Sequence, residues 1–313
     1  MNFDGAEKIA AAILYEGYIL YPYRPTAIKN RQRWNFGTLY PRVYAQAQRP
    51  EEPFRLLAEC LVVADETASL DVRLRFLQLV RQEQSVPPLT DPSLAWDEAV
   101  ERTSEHSNLL IRELLTSPLS LTVPVDATPQ LQIALTISAE MLEDGACKLR
   151  REVQNASPLP TGAEAKRDEA LPASFVSAHL LLGVTGGEFV SLLDPAEAYR
   201  ASVAACSNQG VFPVLAGEEP ERSIMLCSPI ILYDYPKIAP ESAGDFFDGT
   251  EMDEMLTLRV LTLTDAEKQE MQNGDPRARR ILERTEALTN DAMLKAHGVI
   301  RGLRDIRGDI HDR

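Results

Sequence analysis

Histidine and cysteine, the side chains behind much catalysis and most transition-metal binding, are scarce: four of each among 313 residues. Cys60, Cys147, Cys206 and Cys227 are far apart and form no C-x-x-C pair, so they read as reduced core thiols. A metal site would have to be assembled from distant strands. His106, His297 and His311 have no cysteine or carboxylate at metal-ligand spacing, and His179 stands alone in a strand-like run on its less apolar side. None is assigned to catalysis. No G-x-S-x-G elbow, P-loop or G-x-G-x-x-G fingerprint occurs, and Gly183-Val184-Thr185-Gly186-Gly187 lies between two β-like runs, where its glycines serve a turn. No apolar run approaches the roughly 18–20 residues of a membrane span, the best N-terminal run being broken by Glu16 and Gly17. Met1 to Gly5 lacks a basic n-region and a small-residue cleavage site, so a cytoplasmic location is expected.

Positive charge is also in the minority. Against 47 Asp and Glu there are 32 Lys and Arg, a net charge of −15, which opposes docking on nucleic acid or anionic lipid. One basic stretch stands out: Arg24, Lys29, Arg31, Arg33, Arg42, Arg49 and Arg55, opposed only by Glu51 and Glu52. A docking surface for an acidic partner and a solvated basic edge are both consistent with it.

What remains is an ordinary globular composition, 44% hydrophobic and 25% charged, long enough for one large domain or two smaller ones. Ala6, Ile9, Ala10, Ile13 and Leu14 mark one face of a short helix after Asp4, and Pro22 and Pro25 then enforce extended structure. Alternation at Leu70, Val72, Leu74 and Phe76 predicts a strand, paired in a hairpin with Phe54–Val63 through the polar Ala64–Thr67. A second hairpin turns at Asp144-Gly145, between alternating Leu131–Met141 and a run carrying Leu149 and Val153. A third spans Phe175–Leu193 and turns at Gly186-Gly187. Between the second and third, Ser157–Ala173 reads as a flexible loop or linker, either a subdomain boundary or an excursion within one sheet. A helix starts at Asp194-Pro195 and runs to about Cys206. Thr264 with Glu267 forms a capping box, Asp275-Pro276 opens another helix, and a third follows Thr289.

The expected fold is therefore α+β: a mainly antiparallel β-sheet, sandwich or barrel-like, with a short N-terminal helix and a helical C-terminal tail. It divides into a β-rich part over 1–156, a second β-rich part over 174–263 that can belong to the same domain, and a helical tail over 264–313 that can pack on the sheet, on a partner, or on a second copy.

Two segments carry candidate chemistry. Tyr21, Tyr23, Arg24, Arg31, Arg33 and Trp34 combine aromatic and guanidinium groups, the residue types that anchor protein interfaces. The competing reading has the tyrosines closing one end of the sheet while the arginines pair with the acidic excess. Asp245, Asp248 and Glu251 belong to a run of five carboxylates in ten residues, oxygen ligands in principle for calcium or magnesium but at no recognised loop spacing. A solvated acidic loop is the plainer account.

The run from Leu14 to Pro25, continuing as Lys29-Asn30-Arg31-Gln32-Arg33-Trp34, resembles an uncharacterised bacterial family often encoded near nickel-iron hydrogenase genes. Ser228-Pro229-Ile230-Ile231-Leu232-Tyr233-Asp234-Tyr235-Pro236 and Ile238-Ala239-Pro240-Glu241-Ser242 look like its second signature, followed by Asp245 to Glu254. The resemblance implies an accessory protein that helps assemble, stabilise or dock a hydrogenase or another redox complex, with hydrogenase subunits or maturation factors as partners. It transfers no catalytic residue and no cofactor. The alternative is an enzyme or metal-dependent module whose site is assembled from Tyr23, Arg24, Asp234 and the acidic segment 245–254.

Overall fold

The structure, a computed structural model, describes residues 3–19, 21–23, 36–81, 97–127, 129–238, 253–273 and 276–287. Helix α1 (Asp4–Leu14) begins one residue earlier than the capping pattern suggested, with Phe3 at the N-cap and the carboxylates of Asp4 and Glu7 in its first turn, where the helix dipole favours negative charge. It buries Ala6, Ala10, Ile13 and Leu14. The short α2 (Arg42–Ala45) leads to β1 (Arg55–Arg81), β2 (Asp97–Leu110), α3 (Ile111–Thr116), β3 (Leu119–Val125), β4 (Leu131–Met141) and β5 (Cys147–Asn155). Then come α4 (Arg167–Ala170), β6 (Val176–Phe189), α5 (Arg200–Ala204), β7 (Phe212–Ala216) and β8 (Ile224–Ser228), and the described chain ends in α6 (Asp253–Leu261), α7 (Asp265–Asn273) and α8 (Pro276–Glu286).

All eight strands join one open antiparallel sheet in the order β3-β4-β5-β1-β6-β8-β7, with β2 pairing β1 off this path. Fold class and sheet type are those the sequence led us to expect. The 27-residue β1 is the spine. One of its edges holds β5 and then β2, while β6 occupies the other.

This spine overturns the hairpin expected between Phe54–Val63 and Leu70–Arg81. Both runs belong to one strand, and the polar residues between them form a bulge: Ala64 pairs with Gly187 and Ser69 with Thr185, so residues 65–68 face Gly186 alone. The Asp65 carboxylate holds the bulge, accepting the Thr67 N–H at 2.8 Å and its hydroxyl at 2.7 Å. The glycine pair of the expected third hairpin is therefore no turn either, because β6 runs through it. Gly186 sits at φ +75°, and a Cβ on Gly187 would lie 2.8 Å from the Val63 carbonyl oxygen. These glycines are where β6 makes room for the bulge.

The hairpin at Asp144-Gly145 forms as read. Gly145 supplies φ +82°, and Asp144 accepts the Ala146 N–H at 3.0 Å and the Ser202 hydroxyl at 2.5 Å. Residues 157–173 do not make a flexible linker: they form α4 between two short 3₁₀ turns and bury Ala165, Ala170, Leu171 and Ala173. Asn155 fixes both ends of this excursion, its Nδ2 donating to the Leu39 and Ala173 carbonyls at 2.8 Å and its Oδ1 accepting the Ser157 N–H at 2.9 Å. The strands on either side, β5 and β6, both pair with β1. The helix expected from Asp194-Pro195 begins later, as a 3₁₀ turn at Glu197–Tyr199 followed by α5.

Both sheet faces are covered. One carries the largest core, including Leu56, Cys60, Phe76, Leu135, Leu149, Leu180 and Met225. On the other, α1 packs Ala6, Ala10 and Ile13 on Leu181, Val214 and Leu226. His179 lies on this second face, expected to be the less apolar one, yet it is fully buried. Farther along, Leu77 and Leu79 meet the N-terminal tyrosines and the α6–α8 residues Leu256, Val260, Met271, Ile281 and Leu282. Each such side chain contributes about 1.5–3 kcal/mol by leaving water, so the helical tail is held by the core. Thr264 and Glu267 make the capping box at the start of α7, and α8 opens at Pro276. The further helix expected after Thr289 lies outside the described residues.

Candidate functional site

Of the six residues proposed from sequence to meet a partner, the structure describes two, and it turns them inward. Tyr23 is fully buried and Tyr21 half-buried, in edge-to-face contact at 6.2 Å between ring centroids. Tyr23 joins Tyr15, Tyr18, Tyr40 and Tyr44 in the cluster that α6–α8 cover, so it has no free surface to offer. Arginines of those helices lie over the rings: Arg277 sits 4.0 Å from the Tyr15 centroid and 4.9 Å from that of Tyr18, and Arg259 is 5.6 Å from that of Tyr21. The Tyr15 hydroxyl donates to Glu101 at 2.9 Å, and Glu101 pairs with Arg75 at 3.2 Å. Burial, reinforced by that carboxylate, pushes Tyr15 up to about 12. Arg24, Arg31, Arg33 and Trp34 lie outside the described residues, as do Asp245, Asp248 and Glu251.

Asp234, the other component of the alternative site that lies among the described residues, has a structural task. Its carboxylate accepts the Ser191 hydroxyl at 2.5 Å and the Leu215 N–H at 2.8 Å, tying the segment after β8 to the free side of β7. Its neighbour Tyr235 packs on the main core, on the opposite side of the sheet from the Tyr23 cluster.

The same segment presents the most exposed large apolar side chains described. After β8 the chain alternates: Ile230 and Leu232 pack against the α1 cluster, while Ile231 and Tyr233 are 73% and 86% exposed. Neither the charge pattern nor periodicity in the sequence singled these two out, because residues 230–233 are apolar throughout and only the folded backbone divides them by face. Phe212, on the sheet-edge strand β7, is also exposed.

A second unusual group is buried. Arg151 occupies the inward phase of β5, in register with Cys147, Leu149 and Val153, and pairs with Ala58 of β1. Its side chain is fully buried. Nη2 donates to the Ala58 carbonyl at 3.2 Å and to Cys60 Sγ at 3.1 Å, whereas Nε and Nη1 have no partner. The adjacent Arg150 faces outward and binds Glu59 at 2.7 Å, so the carboxylate nearest in sequence to Cys60 is already committed. The signal was legible: in Lys148-Leu149-Arg150-Arg151-Glu152-Val153, one charge falls on the apolar beat.

Burial favours the protonated form of the thiols around Arg151. Burial pushes Cys147 up to about 11 and Cys227 up to about 12, and it raises Cys60 despite the adjacent guanidinium. Half-buried Cys206 is raised to about 11, by burial first. Among the described residues no three His, Cys, Asp or Glu side chains are placed to hold a metal ion, and no helix is long and apolar enough to cross a membrane. An open cavity of about 410 Å³, lined in part by Arg42, Gln46, Asn155 and Ser157, uses its buried polar groups for the fold: Asn155 as above, and Ser157 Oγ accepting the Gln132 N–H. Comparison with protein-family models and with curated proteins finds no match.

Proposed function

We propose that this chain is a non-enzymatic accessory protein of the cytoplasm that works by binding another protein, and that Ile231 and Tyr233 are the centre of its binding surface. The single observation that supports this is their exposure beside the packed Ile230 and Leu232. Two large apolar groups held outward on an anchored segment give up unfavourable hydration when a partner covers them, and aromatic side chains dominate binding energy where they occur. Asp234 and the Tyr235 N–H, which donates to the Leu215 carbonyl at 2.8 Å, hold the segment in place, so little ordering entropy remains to be lost on docking.

The resemblance noted above supplies the partner class. Ile231 and Tyr233 both lie in its second signature, and the gene neighbourhood of that family makes hydrogenase subunits or maturation factors the proposed partners. Arg24, Arg31, Arg33 and Trp34 remain proposed as a second contact.

The test is affinity capture of the tagged chain from its native host, with bound proteins identified by mass spectrometry. Hydrogenase subunits or maturation factors are expected with the wild type and are expected to be lost when Ile231→Ser and Tyr233→Ser are combined, with the thermal midpoint unchanged. Recovery of the same proteins by the double variant would remove the surface from the account. Recovery of neither class by the wild type would remove the partner.

A further inference from the structure

We propose that the cleft between α2 and the segment that follows β5 binds a small monocarboxylate carrying a short apolar body. Its volume is about 410 Å³, within the roughly 300–1,000 Å³ of small-molecule sites. The side chains that line it are matched unequally. Asn155 is committed as a donor, both amide hydrogens lying on backbone carbonyls, and its Oδ1 accepts the Ser157 N–H. Ser157, only 5% exposed, accepts the Gln132 N–H at Oγ, which leaves its hydroxyl proton without an acceptor among the described residues. At the rim, Arg42 Nε donates to Gln46 Oε1 at 3.4 Å. Gln46 Nε2 and both Arg42 Nη atoms donate to nothing among the described residues. The cleft therefore offers donors: one buried hydroxyl, one amide and one guanidinium fork.

Donors that line one space select an anion, and a guanidinium fork fits a carboxylate through two parallel N–H···O bonds. Arg42 lies over the Phe54 ring, 5.5 Å from its centroid, which orders the fork before a ligand arrives. Arg55 lies over the same ring at 5.8 Å but is paired with Glu152 at 3.5 Å. One positive charge thus remains without a described carboxylate, matching a monoanion rather than a phosphate dianion. Val43, 44% exposed, and Leu159 supply an apolar wall long enough for a chain of a few carbons. The site is independent of the exposed segment at Ile231 and Tyr233.

Sodium hexanoate is the probe, with the full chain methyl-labelled for NMR. Saturable shifts of the Val43 and Leu159 methyl signals are expected in the millimolar range, because a ligand of so few atoms binds weakly. Hexanol lacks the charge and acetate lacks the chain, so each is expected to bind about tenfold more weakly or worse. Arg42→Gln should weaken hexanoate by about tenfold or more, through the loss of charge-assisted hydrogen bonds. Arg200→Gln, on the exposed α5, should leave the affinity unchanged. The Arg42 side chain is exposed, so its replacement leaves the core packing intact, and the hexanol comparison decides on the wild type alone. No saturable shift, shifts confined to other methyl groups, hexanol binding as well as hexanoate, or an unchanged affinity in Arg42→Gln would overturn the site. So would inorganic phosphate displacing hexanoate at equal or lower concentration, since the fork would then serve phosphate rather than a carboxylate.

Discussion

Arg277 of α8 lies over the ring of Tyr15, 4.0 Å from its centroid, and so joins the last described helix to the segment that follows the first. The ring in turn is fixed by its hydroxyl, which donates to Glu101 of β2. A cation over an electron-rich face in a partly desolvated setting is worth about 1–2 kcal/mol. Arg277→Ala should therefore destabilise the chain by at least about 1 kcal/mol, and a double-mutant cycle with Tyr15→Leu should show the two losses to be non-additive. Urea unfolding measures both quantities.

His179 makes stability depend on pH. Burial holds its imidazole at about 4, below the ordinary 6.5, while Nδ1 stays against the Ser177 carbonyl at 2.8 Å. The unfolded chain binds this proton more readily than the folded one, so stability rises with pH between these two values. The contribution is complete above about 6.5 and is lost as the pH falls toward 4. It is of order 3 kcal/mol. His179→Leu should flatten the stability profile in that window, measured by denaturant unfolding at a series of pH values. An unchanged slope would mean that another group carries the acid sensitivity.

Gly187 tolerates no side chain. A methyl group there would meet the Val63 carbonyl oxygen at 2.8 Å and the Ala64 Cα at 3.0 Å, both backbone atoms of the spine strand. Gly187→Ala is expected to cost about 2 kcal/mol or more, whereas Gly145→Asn at the exposed turn, where nothing lies within 4 Å of the added Cβ and only the strain of φ +82° is added, should cost about 1 kcal/mol. Comparative thermal unfolding distinguishes a close approach of strands from a simple turn.

Those two glycines also show where sequence reading stopped. Asp144-Gly145 is a turn written locally, with alternation on both sides, and it was legible. Asp65-Glu66-Thr67 looks the same by composition but is a bulge, because the strand that absorbs it, β6, lies more than a hundred residues later and no local pattern couples the two. The choice between an interface and a buried role for Tyr23 was open for the same reason: its cover is α6–α8, so the sequence does not show which of the two readings holds until the chain is closed. Ile231 and Tyr233 were hidden inside a uniformly apolar run, and only Arg151 left a mark that alternation alone could have exposed.

The four thiols should resist modification in the native state. Three are buried, and all are raised above their ordinary values by desolvation, so the thiolate fraction near pH 8 is small. Reaction with a disulfide reagent is expected to be slow until denaturant is added, when four equivalents should appear at once. A single fast equivalent in the native protein would identify Cys206 as accessible.

The most direct test of the docking surface places a photo-crosslinking amino acid at position 233 in the native host, with the same group at Met141, exposed at the turn between β4 and β5, as the control. Illumination should join the residue-233 form to one dominant protein, a hydrogenase subunit or maturation factor, and leave the residue-141 form without that adduct. No adduct at 233, or the same adducts from both positions, would contradict the claim that Tyr233 faces a partner.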